Sequence, residues 1–223
     1  MLSRVDGFAQ GLTALGGRQR GSRGLKRATD LVVAVVALVF LLPAIVAIAV
    51  ALYVHDGRPI VFRQKRVGAG GKEFEILKFR SMCRGADSRL AELLTRNAAA
   101  TDEWKARQKL RHDPRVHRLG SFLRQTSLDE IPQFLNVLRG EMSIVGPRPI
   151  IPEEIVRYGD KIHCYISLTP GITGLWQVSG RSGTSYETRV NLDAEYYQKR
   201  SMLLDLKIMW RTIIVLLFAR NGY

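Results

Sequence analysis

Two adjacent carboxylates in the second half of the chain carry the clearest signal for chemistry. Asp129 and Glu130 stand in the stretch Ser127-Leu128-Asp129-Glu130-Ile131-Pro132. A carboxylate can act as a nucleophile toward a phosphoryl group, and a carboxylate pair suits Mg²⁺, which prefers carboxylate and phosphate oxygens. The same stretch has the residue types of a helix start, because Ser, acidic side chains and Pro are favoured there. Taken alone, the pair fits helix capping better than catalysis.

Arginines surround this pair on both sides. Arg115, Arg118 and Arg124 precede it, and Arg139 and Arg148 follow it. Guanidinium groups neutralise the negative charge that collects when a carboxylate approaches a phosphate. The surroundings therefore shift the prediction from capping alone toward a site for a phosphorylated substrate.

The stretch Gly146-Pro147-Arg148-Pro149 places one arginine between two prolines. The prolines restrict the backbone, so the guanidinium can be presented to a phosphate with little loss of entropy. A rigid turn with a solvated arginine explains the pattern equally well.

Composition gives a broad requirement for an anionic partner. The 223 residues carry a formal net charge of +14, which fits nucleic acid, anionic lipid or a phosphorylated substrate. No nucleic-acid recognition motif accompanies the charge, so a nucleic-acid partner is not expected. Cys83 and Cys164 lie far apart and match no metal-ligand spacing, which is typical of thiols on a reducing cytosolic side.

An uncharged apolar run extends from Leu31 to Val54 and is predicted to enter a membrane. It starts too late and is too long for a secretory signal peptide. As a straight helix it would measure roughly 36 Å. Pro43 stands near its middle and is expected to kink or break the helix, and basic residues crowd both flanks. Because both flanks favour the cytosolic side, a re-entrant hairpin is favoured over a kinked spanning helix, which stays open.

The remaining pattern predicts an α+β domain that is mainly helical with short strands. Strand-like segments at 59–67 and 72–80 flank a glycine cluster and predict a hairpin, since the spacing of a phosphate-binding P-loop is missing. Helices are expected at 87–110, from 119, and at 132–139. The segment 202–218 is predicted to be an interfacial amphipathic helix, with an ordinary core helix as the alternative.

Four motifs follow the apolar run in a fixed order, and together they carry a family resemblance. They are Lys78-Phe79-Arg80-Ser81-Met82, Thr126-Ser127-Leu128-Asp129-Glu130, Gly146-Pro147-Arg148-Pro149 and Pro170-Gly171-Ile172-Thr173-Gly174-Leu175-Trp176-Gln177. From about Lys26 onward the chain resembles the monotopic phosphoglycosyl transferases, the bacterial sugar transferases that begin exopolysaccharide and O-antigen synthesis. The resemblance implies a basic N-terminus at 1–25, a re-entrant membrane helix at 26–56 and a cytosolic catalytic domain at 57–223.

The resemblance also implies a mechanism and a set of site residues. Asp129 matches the nucleophile that attacks the sugar-linked phosphate of a UDP-sugar and releases UMP. Glu130 matches its acidic partner, and the pair is expected to act with Mg²⁺. Undecaprenyl phosphate then takes the phosphosugar. Arg124 is expected at phosphate and Arg148, between Pro147 and Pro149, near the nucleotide. Lys78, Arg80 and Arg181 are further candidates for substrate binding, with roles in folding or at the lipid headgroup equally open.

Within the family, the stretch from Gly174 to Arg181 resembles the branch that uses UDP-galactose or UDP-glucose. The resemblance places the enzyme on the cytoplasmic face of the inner membrane and is compatible with a homodimer. Leu42-Pro43 replaces the Ser-Pro at which many relatives break the membrane helix, and Lys199-Arg200-Ser201 replaces a common Asn-Trp-Ser. The competing hypothesis is a non-catalytic basic membrane adaptor that binds anionic lipid.

Overall fold

The computed structural model describes residues 20–107, 110, 113–180 and 185–218. The helices are α1 (Arg20–Asp56), α2 (Ala86–Arg96), α3 (Ala98–Arg107), α4 (Arg118–Gln125), α5 (Gln133–Arg139), α6 (Ile155–Tyr158), α7 (Ile162–Ile166), α8 (Leu175–Val178), α9 (Tyr186–Lys199) and α10 (Met202–Phe218). The strands are β1 (Val61–Val67), β2 (Glu73–Phe79), β3 (Ser143–Val145) and β4 (Gly171–Thr173). The predicted α+β class, with helices predominating, is confirmed.

The helix α1 is a single element of 37 residues that contains the apolar run. It is long and apolar enough to cross a membrane by length and composition. Helical structure continues through Pro43, so the expected break into two helices does not appear in the secondary structure. One side of α1, which includes Ala34 and Leu52, is fully buried against the rest of the protein, while Phe40 is 81% exposed. The helix therefore lies along the domain with an apolar face left outside.

Both ends of α1 are tied to the same folded unit. Near its start, the Lys26 Nζ atom lies 2.8 Å from the Asp205 carboxylate on α10. At its end, the Arg80 guanidinium lies 3.0 Å from the Asp56 carboxylate. Because both ion pairs are made with one packed domain, neither end of α1 can leave that domain without breaking an ion pair.

The hairpin of β1 and β2 forms as predicted. The strands are antiparallel, with Val61 opposite Phe79 and Val67 opposite Glu73. The connecting turn has Gly70 at φ 67° and Gly71 at φ 77°, a left-handed conformation that favours glycine. The glycine cluster is thus explained by the turn.

A second sheet joins the Gly-Pro-Arg-Pro motif to the later Pro-Gly-Ile-Thr-Gly motif. Strands β3 and β4 pair in parallel, with Ser143 opposite Gly171. The backbones approach so closely that a Cβ atom on Gly146 would lie 2.3 Å from the Thr169 carbonyl oxygen. A Cβ atom on Gly174 would lie 2.1 Å from the Gly146 carbonyl oxygen. These glycines hold the start of the Arg148 loop against the second motif.

The core forms under the hairpin and along α1. Asn136 of α5 is completely buried; its Oδ1 accepts from the Leu77 amide at 3.0 Å, and its Nδ2 donates to the Glu75 carbonyl at 2.7 Å. This side chain therefore fixes α5 beneath β2. Leu52 of α1 packs in a cluster with Leu123 and Ile131, which flank the predicted catalytic pair in sequence.

The last helix, α10, has the bounds that the apolar pattern predicted. Its inner side buries Asp205 and Ile208, whereas Leu203, Leu206 and Trp210 are more than half exposed. The exposed apolar residues recur at helical spacing, as expected of a helix that lies at a membrane surface. Its placement at an interface stays a prediction.

Candidate active site

The predicted catalytic pair lies in a tight turn between two helices. Leu128–Glu130 forms a 3₁₀ turn after α4, and Ser127 before it adopts a left-handed conformation with φ 56°. The Ser127 side chain makes no capping hydrogen bond, and α5 begins later, after Pro132. The Ser127 side chain is therefore not a cap, whereas Asp129 and Glu130 do lie in the first turn of a short helix that starts here, as the helix-start pattern predicted.

Asp129 is buried, with only 4% of its surface exposed. Burial raises the pKa of its carboxyl group to about 6, because the ionised form loses water; Glu130 raises this pKa further, while Lys78 and Arg124 oppose the rise. Among the described residues, the Asp129 Oδ1 atom has no hydrogen-bond partner. A carboxylate that is buried, poorly satisfied and surrounded by cations is typical of a functional site.

Lys78 links the hairpin to this turn. Its Nζ atom lies 2.9 Å from the Glu130 Oε1 atom, and both side chains are partly buried. The structure thus brings together Asp129, Glu130 and Lys78 as the motifs predicted. The ammonium group adds a positive charge where phosphate oxygens would crowd the two carboxylates.

Arg124 approaches from the last turn of α4. Its Nε–H donates to the Ser81 hydroxyl at 2.7 Å, which orients the guanidinium relative to the end of β2. Gly120 permits this approach, because a Cβ atom there would lie 1.9 Å from the Ser81 carbonyl oxygen. The close contact between α4 and Ser81 therefore positions Arg124 beside the catalytic pair.

Arg80 has a different setting from Lys78. It is buried, and its Nη2 donates to the carbonyl oxygens of Asp56 and Gly57 at 3.0 and 2.9 Å. Arg80 therefore holds the end of α1. Its predicted contact with substrate stays a prediction.

Arg148 lies in a second cationic cluster, distinct from the cations that lie beside Asp129. The guanidinium carbon is 6.0 Å from the centre of the Trp176 ring, and the Arg148 carbonyl accepts from Arg189 at 3.1 Å. Pro147 and Pro149 are buried and fix the loop on both sides. The contacts described for Arg148 are with Trp176 and Arg189, whereas Lys78, Glu130 and Arg124 act on the pKa of Asp129.

Arg181 and Pro43 are the remaining predicted positions. Arg181 lies outside the described residues, as do residues 1–19 of the predicted basic N-terminus. Pro43 lies on an exposed part of α1, away from the cations beside Asp129 and from those around Arg148. The re-entrant course of α1 stays a prediction.

Sequence reasoning missed several residues that the fold brings to these clusters. The rings of His55 and His117 stack with centroids 4.5 Å apart, where α1 ends and α4 begins. The His117 Nδ1 atom accepts from the Gly120 amide at 2.9 Å and caps α4. Arg66 and Arg189 join Arg148 from β1 and α9. No local pattern marks these residues, since each acquires its neighbours only through long-range packing.

The carboxylate pair has the chemistry to hold Mg²⁺ together with substrate. Magnesium is bound in proteins by one or two carboxylates and by phosphate oxygens of the substrate. The Asp129 Oδ1 atom, which has no partner in the described part of the chain, and the Glu130 carboxylate provide such oxygens. Within that part, no group of three or more His, Cys, Asp or Glu side chains is placed to bind a metal. The two carboxylates are of the donor type that Mg²⁺ accepts, and magnesium binding at this pair stays a prediction.

Comparison with known proteins shows the family to which the chain belongs. Residues 21–219 match the bacterial sugar transferase family, so the chain belongs to that family. It is 44% identical to the exopolysaccharide production protein ExoY of Sinorhizobium fredii, over 89% of this chain and 88% of that protein. It is 46% identical to the UDP-galactose-lipid carrier transferase of Erwinia amylovora and 42% identical to the undecaprenyl-phosphate galactose phosphotransferase of Salmonella typhimurium. Each of these two matches covers 92% of this chain but 43% of the longer relative.

Burial of Asp129 predicts a stability effect that is independent of any assay for activity. The folded-state pKa of about 6 exceeds the ordinary value of 3.8, so ionisation of this carboxyl group destabilises the fold above pH 6. Asp129→Asn removes that charge and should raise the free energy of unfolding above pH 6 by up to about 3 kcal/mol. The gain should disappear below pH 3.8, where Asp129 is protonated in both states.

Asp113→Asn is the matched control, measured with Asp129→Asn by unfolding in detergent at several pH values. Burial alone would raise the pKa of Asp113, but hydrogen bonds from Arg115 lower it overall. The control should therefore lose stability at neutral pH, opposite in sign to Asp129→Asn. An Asp129→Asn protein that is less stable than the native chain at every pH would contradict the destabilising role of this charge.

Proposed function

We propose that this protein transfers hexose-1-phosphate, from UDP-galactose or UDP-glucose, to undecaprenyl phosphate. The products are undecaprenyl-diphosphate-hexose and UMP, and the reaction begins exopolysaccharide synthesis. The observation that carries the proposal is the buried Asp129 carboxylate, with its raised pKa, beside Lys78, Glu130 and Arg124. The names of the relatives, which include a galactose phosphotransferase acting on undecaprenyl phosphate, support the same substrates.

The first step forms a bond between an Asp129 carboxylate oxygen and the phosphorus that carries the hexose. The bond from that phosphorus to the bridging oxygen breaks, and UMP leaves with the electron pair. A phosphosugar stays on Asp129 as a mixed anhydride. In the second step, an oxygen of undecaprenyl phosphate attacks the same phosphorus and releases the Asp129 carboxylate.

The neighbouring side chains stabilise the charge that gathers in both steps. Lys78 and Arg124 present positive charge to the equatorial phosphate oxygens, in a partly buried setting where electrostatic attraction is stronger than in water. Glu130 is held by Lys78 at 2.9 Å, which keeps its carboxylate beside Asp129. Asp129 and Glu130 would hold Mg²⁺, which would neutralise further phosphate charge.

The structure of α1 supports a monotopic position on the cytoplasmic face of the inner membrane. Its two ends bind one folded domain through Lys26 and Arg80, so a simple crossing would require that domain to lie on both sides of the bilayer. The exposed apolar faces of α1 and α10 would enter the lipid. We infer that α1 dips into one leaflet and that both of its ends stay cytosolic.

A non-catalytic adaptor has no use for a buried carboxylate whose ionisation destabilises the fold. An adaptor needs basic charge and an apolar face, and both are present here. The burial of Asp129 is instead expected to lower the stability of the fold at neutral pH. Such a loss of stability is common at active sites.

Transfer should depend on ionised Asp129. Asp129→Asn is expected to reduce UMP release by at least ~1,000-fold, because the amide is not a nucleophile. Glu75→Gln is the control and should keep full activity, because Glu75 lies on the β1–β2 hairpin with an exposed side chain. Purified protein in undecaprenyl phosphate micelles with a panel of UDP-sugars gives the measurement. The native rate should fall below pH 6 as Asp129 is protonated, and full activity of Asp129→Asn would exclude it as the nucleophile.

Membrane topology can be tested with two cysteines on opposite flanks of the apolar run 31–54. Among the described residues, a Cβ atom added to Gly24 would meet no neighbouring segment within 4 Å, so Gly24→Cys should be tolerated. Cys83 on the other flank is native and free. In intact cells, a membrane-impermeant thiol reagent should label neither position, and both should react after lysis. Labelling of Gly24→Cys alone from outside would show that α1 crosses the bilayer.

A further inference from the structure

The second cationic cluster forms where three distant segments meet. Arg66 lies on β1, Arg148 in the Gly-Pro-Arg-Pro loop, and Arg189 on α9. The Arg66 Nη1 atom donates to the Pro149 carbonyl at 3.2 Å, and the Arg189 Nη2 atom donates to the Arg148 carbonyl at 3.1 Å. Arg66 and Arg189 therefore hold the backbone of the loop that carries Arg148.

The cluster carries more positive charge than its neighbours neutralise. Arg189 faces Glu154 at 3.5 Å and Asp193 at 4.0 Å. In the described ranges, no carboxylate forms an ion pair with Arg66 or Arg148. Burial lowers the pKa of Arg66 to about 10, and the nearby Arg148 charge lowers it further, whereas Glu154 opposes the shift. Buried like charges repel one another, so the arrangement favours an anionic ligand.

Aromatic rings complete the cluster. The Arg189 guanidinium lies 5.0 Å from the Trp176 ring centre and 5.2 Å from the Tyr186 ring centre. Arg148 lies on the Trp176 ring as well, at 6.0 Å. Guanidinium groups with an aromatic face are suited to a ligand that combines a phosphate with a planar base.

The hairpin relates this cluster to the catalytic pair. Phe62 lies opposite Lys78 in the ladder, and Arg66 lies opposite Phe74. Alternate residues of a strand share a face, so Lys78 and Arg66 project from the same side of the hairpin. Four residues separate their rows, which corresponds to about 13 Å along the strand. The Lys78 and Arg66 side chains are both long, so a nucleoside diphosphate with its hexose-linked phosphate at Asp129 can extend its nucleoside end toward the second cluster.

We propose that Arg66, Arg148 and Arg189, with the Trp176 ring, form the subsite that binds the nucleoside monophosphate part of the donor. This inference rests on the proposed function and adds Arg66 and Arg189 to its binding residues. The donor lies along one face of the hairpin, with the hexose-linked phosphate at Asp129 and the leaving nucleotide at the arginines. The lipid acceptor does not use this subsite.

The test separates the two substrates. Arg66→Met should raise the KM for UDP-hexose and the dissociation constant for UMP by about 10- to 100-fold, the range expected from loss of a charged hydrogen bond. The KM for undecaprenyl phosphate should stay within about twofold, because in a two-step reaction this acceptor meets the enzyme after UMP has left. Arg66→Lys should recover part of the UMP affinity.

Arg63→Met is the matched control, because Arg63 is on the same strand but on the opposite face, with a side chain that is 64% exposed. It should leave both KM values unchanged. Arg66 also donates to the Pro149 carbonyl, so its loss could disturb the loop. Arg148→Met is therefore the second test variant, because the Arg148 side chain makes no hydrogen bond within the described residues. It should weaken UMP binding by a similar factor.

Unchanged UMP affinity in both Arg66→Met and Arg148→Met, or an equal rise of KM for both substrates, would overturn the subsite. If the native protein still transfers hexose phosphate in that case, only the subsite fails. If the native protein releases no UMP from any UDP-hexose, the proposed function itself fails.

Discussion

The structure depends on keeping one ionisable carboxylate, that of Asp129, out of water. Burial raises its pKa to about 6, and the nearby Glu130 charge adds to the effect. Lys78 and Arg124 compensate in part and favour the ionised form, which is the form that the proposed attack on phosphorus requires. Asp129 thereby combines a low degree of hydration with a negative charge, which is a favourable state for a nucleophile and an unfavourable one for stability.

Much of the fold can be understood as support for this turn. Asn136 fastens α5 beneath β2, the strand that carries Lys78. Gly120 lets α4 contact Ser81, which orients Arg124. Leu52 brings the end of α1 against residues on both sides of Asp129. The apolar helix α1 and the turn that carries Asp129 are therefore parts of one packed unit. Under the proposed function, this packing would bring a lipid phosphate within reach of the site.

Local sequence signals predicted the elements that depend on local physics. The β1–β2 hairpin followed from its glycine turn, and the bounds of α10 followed from the apolar pattern at 202–218. Asp129, Glu130 and Lys78 meet as their motifs indicated. The helix start was predicted, but the Ser127 side chain does not cap it, because Ser127 takes a left-handed conformation just before the 3₁₀ turn. Pro43 did not interrupt α1, since packing along one face can maintain a helix that lacks one hydrogen bond.

Contacts between distant segments lay beyond sequence reasoning. Arg66 and Arg189 are separated by most of the domain in sequence and carry no motif, yet both donate to the backbone of the Gly-Pro-Arg-Pro loop. The stacked pair of His55 and His117 arises in the same way, where the end of one helix meets the start of another. Such neighbours follow from tertiary packing, which propensity and periodicity do not encode.

The intact mass of the native protein, measured after incubation with UDP-galactose or UDP-glucose in the absence of undecaprenyl phosphate, tests the central claim most directly. We expect a mass increase of one hexose phosphate, located on Asp129 by peptide mapping, with one UMP released per adduct. Addition of undecaprenyl phosphate should then remove the adduct. Transfer to lipid in the presence of acceptor, with no adduct on the protein in its absence, would contradict a covalent role for Asp129.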